Sequence, residues 1–206
     1  RLDDASKVKT NELANELKTL MKPLFEKHMK DVLSGDFSLM MMKDWANNDV
    51  ELLGWRKETG ETDFEKTHVT TGEISNQEFF DNGLLMVAFT KAGVELAYET
   101  MVKNGIKAES AYYESLHEAP LIANTIARKK LYEMNRVISD TAEYGCYLFN
   151  HACKPLLNDF MASLDNDVIG KPFFNPSYIG AEKLDELDNK VKNHPIEKVG
   201  ARLRLS

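Results

Sequence analysis

Cysteine is scarce in this chain, and the two that occur are poorly placed for cross-linking. Cys146 and Cys153 are the only cysteines among 206 residues. On a helix their spacing places them two turns apart, about 10 Å along the axis, which is too far for a disulfide. Nothing in the sequence indicates a zinc cluster either. The sequence therefore predicts a reducing, cytoplasmic setting.

Long apolar runs and excess positive charge are missing as well. No apolar stretch approaches the roughly 20 residues that a membrane helix needs, so we expect no membrane insertion. No signal or transit peptide is visible. The formal net charge of −7 argues against general nucleic-acid binding, because contact with phosphates needs a basic surface. The chain starts at Arg1 rather than at methionine, which indicates a processed product or an excised piece.

Two further signals are absent, one for sheets and one for nucleotide binding. No alternation of apolar and polar residues is long enough for a sheet, and there is no G-x-G-x-x-G. Nearly every long segment instead repeats apolar residues at helical spacing, so we predict an all-α helical bundle. Long helices are predicted over the segments that begin ELANELKTL, FFDNGLLMV, AESAYYESL and SDTAEYGCY, and one or two short helices from GAEKLDELD onward.

Helix ends and loops are marked by their composition. Gly35 should end the first long helix, and Gly105 the second. Asp140 and Glu143 are spaced like a capping box at the start of the fourth. The stretches GETDFEKTHVTTGEISN and NDVIGKPFFNPSYIGA are rich in threonine, glycine or proline, so both are predicted to be loops.

The spacing Glu-x-x-x-Glu occurs more than once, and the surrounding residues separate the copies. Glu12 and Glu16 lie among lysines and asparagines, which is typical of a solvated helix face. Glu95 and Glu99 lie in the apolar segment AGVELAYETMV, so they remain a candidate pair for binding a cation. A third pair, in AYYESLHEAP, has the most aromatic surroundings of the three.

Glu114 and Glu118 form this third pair. Carboxylates in apolar surroundings are usually paired or bound to metal. Two carboxylates one helical turn apart lie about 5–6 Å from each other on the same face. That separation suits one Mg²⁺ or Mn²⁺, which takes one or two carboxylates and leaves its other positions to water and substrate. The pair is therefore a candidate magnesium site, although a solvated helix face would show the same spacing.

A competing interpretation uses histidine. Glu114-x-x-His117 matches the Glu-x-x-His spacing of di-iron helical bundles. A second copy, Glu65-x-x-His68, lies in the predicted polar loop, where a ligand of a bundle site would not be expected. A single histidine in a mixed setting is more often structural. The sequence thus favours magnesium over iron at this position without excluding iron.

Ser139 opens the segment SDTAEYG at a predicted helix start. Serine caps helix N-termini routinely, so capping is the first expectation. The hydroxyl and the free N–H groups of a helix start can also hold an anion such as a carboxylate. Both roles remain open for this residue.

The segments that carry these residues resemble one enzyme family. YYESLHEAPLIANTIARKKLYEMNRVISDTAEYG resembles the C-terminal region of ketol-acid reductoisomerase (acetohydroxyacid isomeroreductase) in its long, class II bacterial form. The segments LMKPLFEKHMKDVLSGDF, MMKDWANND, LLGWRKETGETDFE, KAGVELAYETMV and IEKVGARLR fit the same family in order. The resemblance covers essentially the whole chain, and it implies the helical, knotted C-terminal fold of that family.

The resemblance also implies a reaction and its cofactors. The family acts in valine and isoleucine biosynthesis, where a Mg²⁺-dependent alkyl migration rearranges 2-acetolactate or 2-aceto-2-hydroxybutyrate. NADPH then reduces the product to a 2,3-dihydroxy acid. Two Mg²⁺ ions clamp the substrate oxygens as Lewis acids. The expected partner is therefore a small acetohydroxyacid, and we also expect a homo-oligomer.

Carried over by motif, the resemblance assigns roles to individual residues. Glu114 and Glu118 match ligands of the second Mg²⁺ and would be catalytic. Ser139 matches a residue that contacts substrate. His117 would help to orient a carboxylate rather than bind metal. The pair Glu95 and Glu99 would then be structural.

The resemblance further implies a division of the chain. Residues 1–69 would be the closing helices of a first helical repeat plus a linker, and residues 70–206 a second repeat. The N-terminal Rossmann domain that binds NADPH, and the ligands of the first Mg²⁺, would be missing, so we expect half a metal site and an inactive chain. Alternatively, the chain is only a helical assembly module, in which the segment LMMMKDWA is a buried subunit contact or ordinary core.

Overall fold

The computed structural model describes residues 2–68, 72–164 and 179–205. All regular secondary structure in these ranges is helical, which confirms the predicted all-α class. A π-helical turn, Tyr113–His117, follows α7 directly. The α-helices are α1 (Asp4–Ser34), α2 (Asp36–Ala46), α3 (Val50–Gly60), α4 (Asp63–Lys66), α5 (Asn76–Asn82), α6 (Leu84–Lys103), α7 (Ala108–Tyr112), α8 (Ala119–Val137), α9 (Asp140–Ser163), α10 (Ala181–Asn193) and α11 (Pro195–Leu203).

Two of the predicted helix ends are confirmed. Gly35 follows α1 with a φ of 85°, and Gly105 lies just beyond α6 with a φ of 89°. Glycine adopts this left-handed conformation without the steric cost that a Cβ atom imposes, so it ends a helix cleanly. The prediction of one or two short helices near the C-terminus is also confirmed, by α10 and α11.

Other helix predictions need correction. The second predicted helix is divided at Gly83, where a Cβ atom would collide with the carbonyl oxygen of Phe79. The capping box was wrong, because α9 starts at Asp140 and its cap is the preceding serine. The predicted loop GETDFEKTHVTTGEISN contains the short helix α4, and most of the second predicted loop lies outside the described residues.

The third predicted helix is interrupted twice. The π-helical turn separates α7 from α8, and α8 itself is broken at Lys130. Lys130 has a φ of 60° and a ψ of −175°. This region of backbone space is essentially restricted to glycine and costs about 1–3 kcal/mol for another residue. Specific contacts must therefore hold the break in place.

The described chain divides into two compact units, each assembled from separated stretches. The first unit contains Arg1–Lys22, Gly72–His117 and Asn158–Ser206. The second unit contains Pro23–Thr71 and Glu118–Leu157. The predicted division into residues 1–69 and 70–206 is based on the repeats of the family that the sequence resembles, not on these compact units. It stays a prediction.

The core of the first unit joins α6, α7 and α11. Tyr98 on α6, Tyr112 on α7 and Ile196 on α11 are all buried in one cluster, together with Ala111 and Val199. Met101, Ile106 and Leu203 are among the partly buried side chains that pack against it. This cluster anchors the short helix α7, which on its own is too short to be stable.

The core of the second unit joins α2, α3 and α9. Phe37, Leu52, Tyr144 and Tyr147 are buried together there. The ring of Trp55 packs edge-on to Tyr144, with the centroids 5.1 Å apart. Aromatic pairs in this geometry contribute about 0.5–1.5 kcal/mol beyond their buried area.

A buried carboxylate joins α2 to α3. Asp44 is 5% exposed, and it accepts hydrogen bonds from the backbone N–H groups of Glu51 and Leu52, at 2.8 and 3.0 Å. Asn48 and Asp49 both have positive φ, so the chain turns tightly between the helices. Asp44 thus caps α3 in place of the residue that directly precedes it.

None of the described helices is long and apolar enough to cross a membrane.

Candidate functional site

Glu114 lies on a π-helical turn. The turn follows α7 without a gap, and Ser115 within it is buried. The Ser115 hydroxyl donates a hydrogen bond to the carbonyl oxygen of Ala111 at 2.6 Å. Ala111 and Ser115 face inward, whereas Tyr113 and Glu114 are exposed. Single π-helical turns are rare and are frequently found at functional sites.

A close contact between α7 and α11 supports this turn. A Cβ atom at Gly200 would lie 2.7 Å from Cε2 and 3.1 Å from Cζ of Tyr112. Tyr112 is only 7% exposed, so its ring has little room to move away. Gly200 therefore allows α11 to approach the residue that immediately precedes the turn. The glycine in IEKVGARLR was the only sequence signal for this contact.

Glu118 immediately precedes α8. It has helical backbone angles and is followed by proline at the second helical position, which suits a helix start. A carboxylate at this end of a helix interacts favourably with the helix dipole. The division between the two compact units falls between His117 and Glu118, so Glu114 and Glu118 belong to different units.

Glu114 and Glu118 are not buried, although aromatic residues surround them in the sequence. Glu114 and Glu118 are both exposed, because the buried positions of this stretch are taken by Ala111, Tyr112 and Ser115. Within residues 2–68, 72–164 and 179–205, neither carboxylate has a hydrogen-bond or ion-pair partner. Two unpaired carboxylates close in sequence are a donor set that suits a hard dication such as Mg²⁺.

The His117 imidazole packs against two tyrosine rings. Its imidazole packs edge-on to Tyr113, with centroids 5.0 Å apart, and tilted against Tyr112 at 6.2 Å. Its side chain is exposed. These ring contacts do not test an orienting role towards a carboxylate, which stays a prediction.

In the second Glu-x-x-His motif, one oxygen of the Glu65 carboxylate already accepts backbone hydrogen bonds. The Oε1 atom of Glu65 accepts hydrogen bonds from the backbone N–H groups of Leu131 and Tyr132, at 2.9 and 3.0 Å. His68 is exposed beyond the end of α4. The di-iron alternative would thus have to use a carboxylate whose Oε1 atom already accepts two backbone hydrogen bonds, so this geometry does not favour it.

Ser139 caps α9, as its position predicted. Its hydroxyl oxygen accepts a hydrogen bond from the Ala142 N–H at 3.2 Å, and its carbonyl oxygen accepts one from the Glu143 N–H at 2.9 Å. The side chain is exposed. A hydroxyl that accepts one hydrogen bond still has its own proton to donate. Capping therefore leaves Ser139 able to contact a ligand.

Glu95 and Glu99 are neutralised by cationic side chains. Lys18 donates to both carboxylates, at 3.0 Å to Glu95 and 2.6 Å to Glu99. Lys91 also pairs with Glu95, and His194 lies 2.9 Å from Glu99. Burial alone would raise the pKa of Glu95, but the hydrogen bonds from Lys91 and Lys18 outweigh it and lower that pKa.

The same balance holds at Glu99, whose pKa is also lowered. Burial opposes the shift, and hydrogen bonds from Lys18 and His194 produce it. Ligand atoms of Glu95, Glu99 and His194 lie within 4.8 Å of one another, a spacing that a metal ion could use. The Lys18 ammonium already lies between the two carboxylates, however. We therefore interpret this cluster as an ion-pair network of the first unit.

Replacing Lys18 with methionine should make folding less stable and less sensitive to acid. We expect a loss of about 1–2 kcal/mol at pH 7, because two partly buried carboxylates lose a charged donor. Their lowered pKa values mean that the network stabilises the fold above pH 4.5 and that this stabilisation is lost as the pH falls through the folded-state pKa. Urea unfolding followed by circular dichroism from pH 7 to pH 3 measures both effects.

The matched control for this substitution is Lys7→Met. Lys7 pairs with Asp4 on an exposed surface, so its removal should change stability by less than about 0.5 kcal/mol. If Lys18→Met kept the full dependence of stability on pH between 5 and 3, the network would not be the source of the acid sensitivity.

Comparison with known proteins assigns the family. Residues 78–206 match the family described as ketol-acid reductoisomerase, C-terminal domain. The chain belongs to the ketol-acid reductoisomerase family. Its relatives include ketol-acid reductoisomerase (NADP(+)) from Flavobacterium johnsoniae, 62% identical over 206 residues, and from Christiangramia forsetii, 63% identical over 207 residues. The enzyme of the same name from Pseudoalteromonas translucida is 62% identical over 205 residues.

These alignments cover nearly all of this chain but less than half of each relative. They include 99–100% of the chain and 42% of each of the three relatives. The region that matches the ketol-acid reductoisomerase C-terminal domain contains Glu114, Glu118 and Ser139. It also contains α11, whose Gly200 supports the π-helical turn.

Proposed function

We propose that this chain is the C-terminal part of a ketol-acid reductoisomerase and that it contributes Glu114, Glu118 and Ser139 to the active site. The complete enzyme would rearrange 2-acetolactate or 2-aceto-2-hydroxybutyrate by alkyl migration and reduce the product with NADPH. The family assignment supports this reaction, and the NADP(+) in the names of the relatives supports the nicotinamide cofactor.

The contrast among the carboxylate pairs supports the choice of Glu114 and Glu118. Glu95 and Glu99 pair with Lys18, and Glu99 also contacts His194, whereas Glu114 and Glu118 have no hydrogen-bond or ion-pair partner within the described parts of the chain. A carboxylate without a compensating cation adds nothing to folding stability. A bound dication would compensate such charges.

Each of the three residues has a distinct proposed role. Glu114 and Glu118 would hold one of two Mg²⁺ ions through their carboxylate oxygens. Magnesium, when bound, supplies Lewis-acid polarisation of the substrate oxygens. Ser139 would donate its free hydroxyl proton to substrate at the N-terminus of α9, where the helix dipole favours a negatively charged group.

The remaining parts of the reaction require residues outside this chain. It lacks a G-x-G-x-x-G fingerprint, so NADPH would bind to a separate Rossmann domain. The first Mg²⁺ would need further carboxylates from another helical repeat. We therefore expect the isolated chain to be inactive and to bind divalent metal weakly.

Electron paramagnetic resonance of Mn²⁺ titrated into the chain tests the site. Bound Mn²⁺ loses its sharp six-line signal, so free and bound metal can be measured separately. We expect weak binding that disappears in Glu114→Gln/Glu118→Gln, since the substitutions remove both negative charges. The matched control is Glu95→Gln/Glu99→Gln, which should bind Mn²⁺ as the parent chain does. Loss of binding only in the control, or equal binding in all three proteins, would contradict the assignment.

A second candidate is a role in assembly alone, with homo-oligomer formation through α2 and α3. This reading is favoured by the exposure of apolar side chains there, including 71% for Trp45 and 55% for Met42. Exposed apolar surface of this kind often marks a protein interface. Sedimentation of Trp45→Ser/Met42→Ser tests it, because a shift from oligomer to monomer is expected if these residues join copies. An unchanged sedimentation coefficient would exclude them from the interface.

A further inference from the structure

The break in α8 lies between two residues of the proposed site. Glu118 immediately precedes α8, and Ser139 follows its last residue, Val137, after one intervening position. All of these residues belong to the second unit. The backbone at Lys130, near the middle of this path, has a φ of 60° and a ψ of −175°. The conformation of Lys130 therefore sets the placement of Glu118 relative to Ser139.

Glu65 supplies the contacts that the break needs. Its Oε1 atom accepts hydrogen bonds from the N–H groups of Leu131 and Tyr132, the first residues after the break. In an unbroken helix these N–H groups would bond to carbonyl oxygens one turn earlier. The carboxylate replaces those partners, as a capping residue does at a helix start, although it comes from 66 residues earlier in the chain.

The Lys130 side chain also contacts the segment that contains Glu65. Its ammonium group donates hydrogen bonds to the backbone carbonyl oxygens of Glu65 and Thr67. The strained residue is thus attached to the end of α4 by its side chain, while the residues after it are attached by their backbone. Glu65 itself is half-buried, and its hydrogen bonds from Leu131 and Tyr132 are partly shielded from competing water.

We propose that Glu65 is a positioning residue for the proposed active site. It holds α8 in its broken form and so fixes the separation between Glu118 and Ser139. The effect of Glu65 on catalysis rests on the proposed function. Its effect on the conformation of α8 does not. Because the role needs a hydrogen-bond acceptor rather than a charge, glutamine should replace Glu65 and alanine should not.

A distance measurement on the 206-residue chain tests the conformational claim. Spin labels at Leu121 and Val137, both exposed, flank the break, with the two native cysteines replaced by serine. In an uninterrupted helix the labelled positions would lie about 24 Å apart. Double electron–electron resonance should give a parent distance that differs from this value. Glu65→Ala should shift the distance towards it, and Glu65→Gln should not.

Two further variants make this measurement decisive. Glu61→Ala removes an exposed carboxylate that pairs with Lys66 in the same segment, so it should leave the distance unchanged. Glu65→Ala/Lys130→Gly should retain the parent distance, since glycine adopts the conformation of Lys130 without strain. If Glu65→Ala alone kept the parent distance, the positioning role would be excluded.

A chimera tests the catalytic consequence. It is the Flavobacterium johnsoniae enzyme with its matching 42% replaced by this chain. We expect Glu65→Ala to lower kcat by about 10- to 100-fold, since small misplacements of reacting groups have effects of this size. KM for NADPH should stay within threefold, because nucleotide binding lies elsewhere. Glu65→Gln should restore kcat to within threefold of the parent.

The controls separate this inference from the proposed function. An equal loss of kcat in Glu65→Gln and Glu65→Ala would refute positioning by an acceptor, whatever the metal ligands are. Full activity of the chimera with Glu118→Gln would refute the proposed function and leave the distance result intact. Glu61→Ala should retain the parent kcat in either case.

Discussion

Glu118→Gln is expected to lower the activity of the Flavobacterium johnsoniae chimera by at least about a thousandfold. A magnesium ion that polarises substrate oxygens supplies several kcal/mol of transition-state stabilisation, and about 4 kcal/mol corresponds to a factor of a thousand. Glutamine keeps the size of the side chain but removes the charge that holds the ion. Glu114→Gln should have an effect of the same order.

The measurement is acetolactate-dependent oxidation of NADPH at saturating Mg²⁺. The parent chimera should be active, because the chain is 62% identical to the segment that it replaces. The chain alone should show no activity. Any acetolactate-dependent NADPH oxidation by the pure chain would contradict the proposal that the chain needs other domains for activity. The double variant Glu114→Gln/Glu118→Gln should lose little more than either single variant, since both residues serve one ion.

Glu95→Gln is the matched control in the same assay. It removes one carboxylate with the same Glu-x-x-x-Glu spacing, but one that is held by Lys18 and Lys91. Its kcat should stay within threefold of the parent value, although its stability should fall. A thousandfold loss at Glu95 together with full activity at Glu118 would mean that the roles were carried over to the wrong pair.

The sequence predicted the features of the fold that depend on neighbouring residues. Helical periodicity and the glycines at positions 35 and 105 act within a few residues, so the long helices and two of their ends could be predicted. The break at Lys130 could not, because the carboxylate that holds it comes from 66 residues earlier. The close contact of Gly200 with Tyr112, the residue before the π-helical turn, could not be predicted either, because the two residues lie on different helices.

At the candidate site, residue types could be predicted more readily than their environment. The spacing of Glu114 and Glu118 indicated a cation site, but their aromatic neighbours in the sequence did not reveal that both carboxylates are exposed. Those neighbours turn inward or pack on His117 and leave the carboxylates exposed. Ser139 was correctly expected to cap a helix, since capping is a local interaction, whereas the long-range partners of Glu95 and Glu99 could not be predicted from spacing.

Glu143 gives the largest expected effect on stability. Its side chain, on α9, is 1% exposed and bonded to Arg56 on α3 through two parallel hydrogen bonds of 2.7 and 2.6 Å. Hydrogen bonding to Glu143 raises the pKa of Arg56. Glu143→Ala should reduce the free energy of unfolding by about 3 kcal/mol, because it leaves a guanidinium without its partner beside the core.

Urea unfolding followed by tryptophan fluorescence measures this loss, since Trp45 and Trp55 both lie in the second unit. The matched control is Glu58→Ala, an exposed glutamate 3.6 Å from His151, and it should change stability by less than about 0.5 kcal/mol. A loss below about 1 kcal/mol in Glu143→Ala would contradict the prediction.

A double substitution separates the cost of an unpaired charge from the value of the ion pair. Replacing both partners, as in Arg56→Met/Glu143→Leu, should recover most of the stability that Glu143→Ala loses, because no charge is then left beside the core. If the double variant is as unstable as Glu143→Ala, the two hydrogen bonds themselves stabilise the junction of α3 and α9. Recovery would instead mean that the pair adds little stability and serves specificity. Glu143 would then ensure that α9 packs against a helix whose side chain can donate two parallel hydrogen bonds, as Arg56 on α3 does.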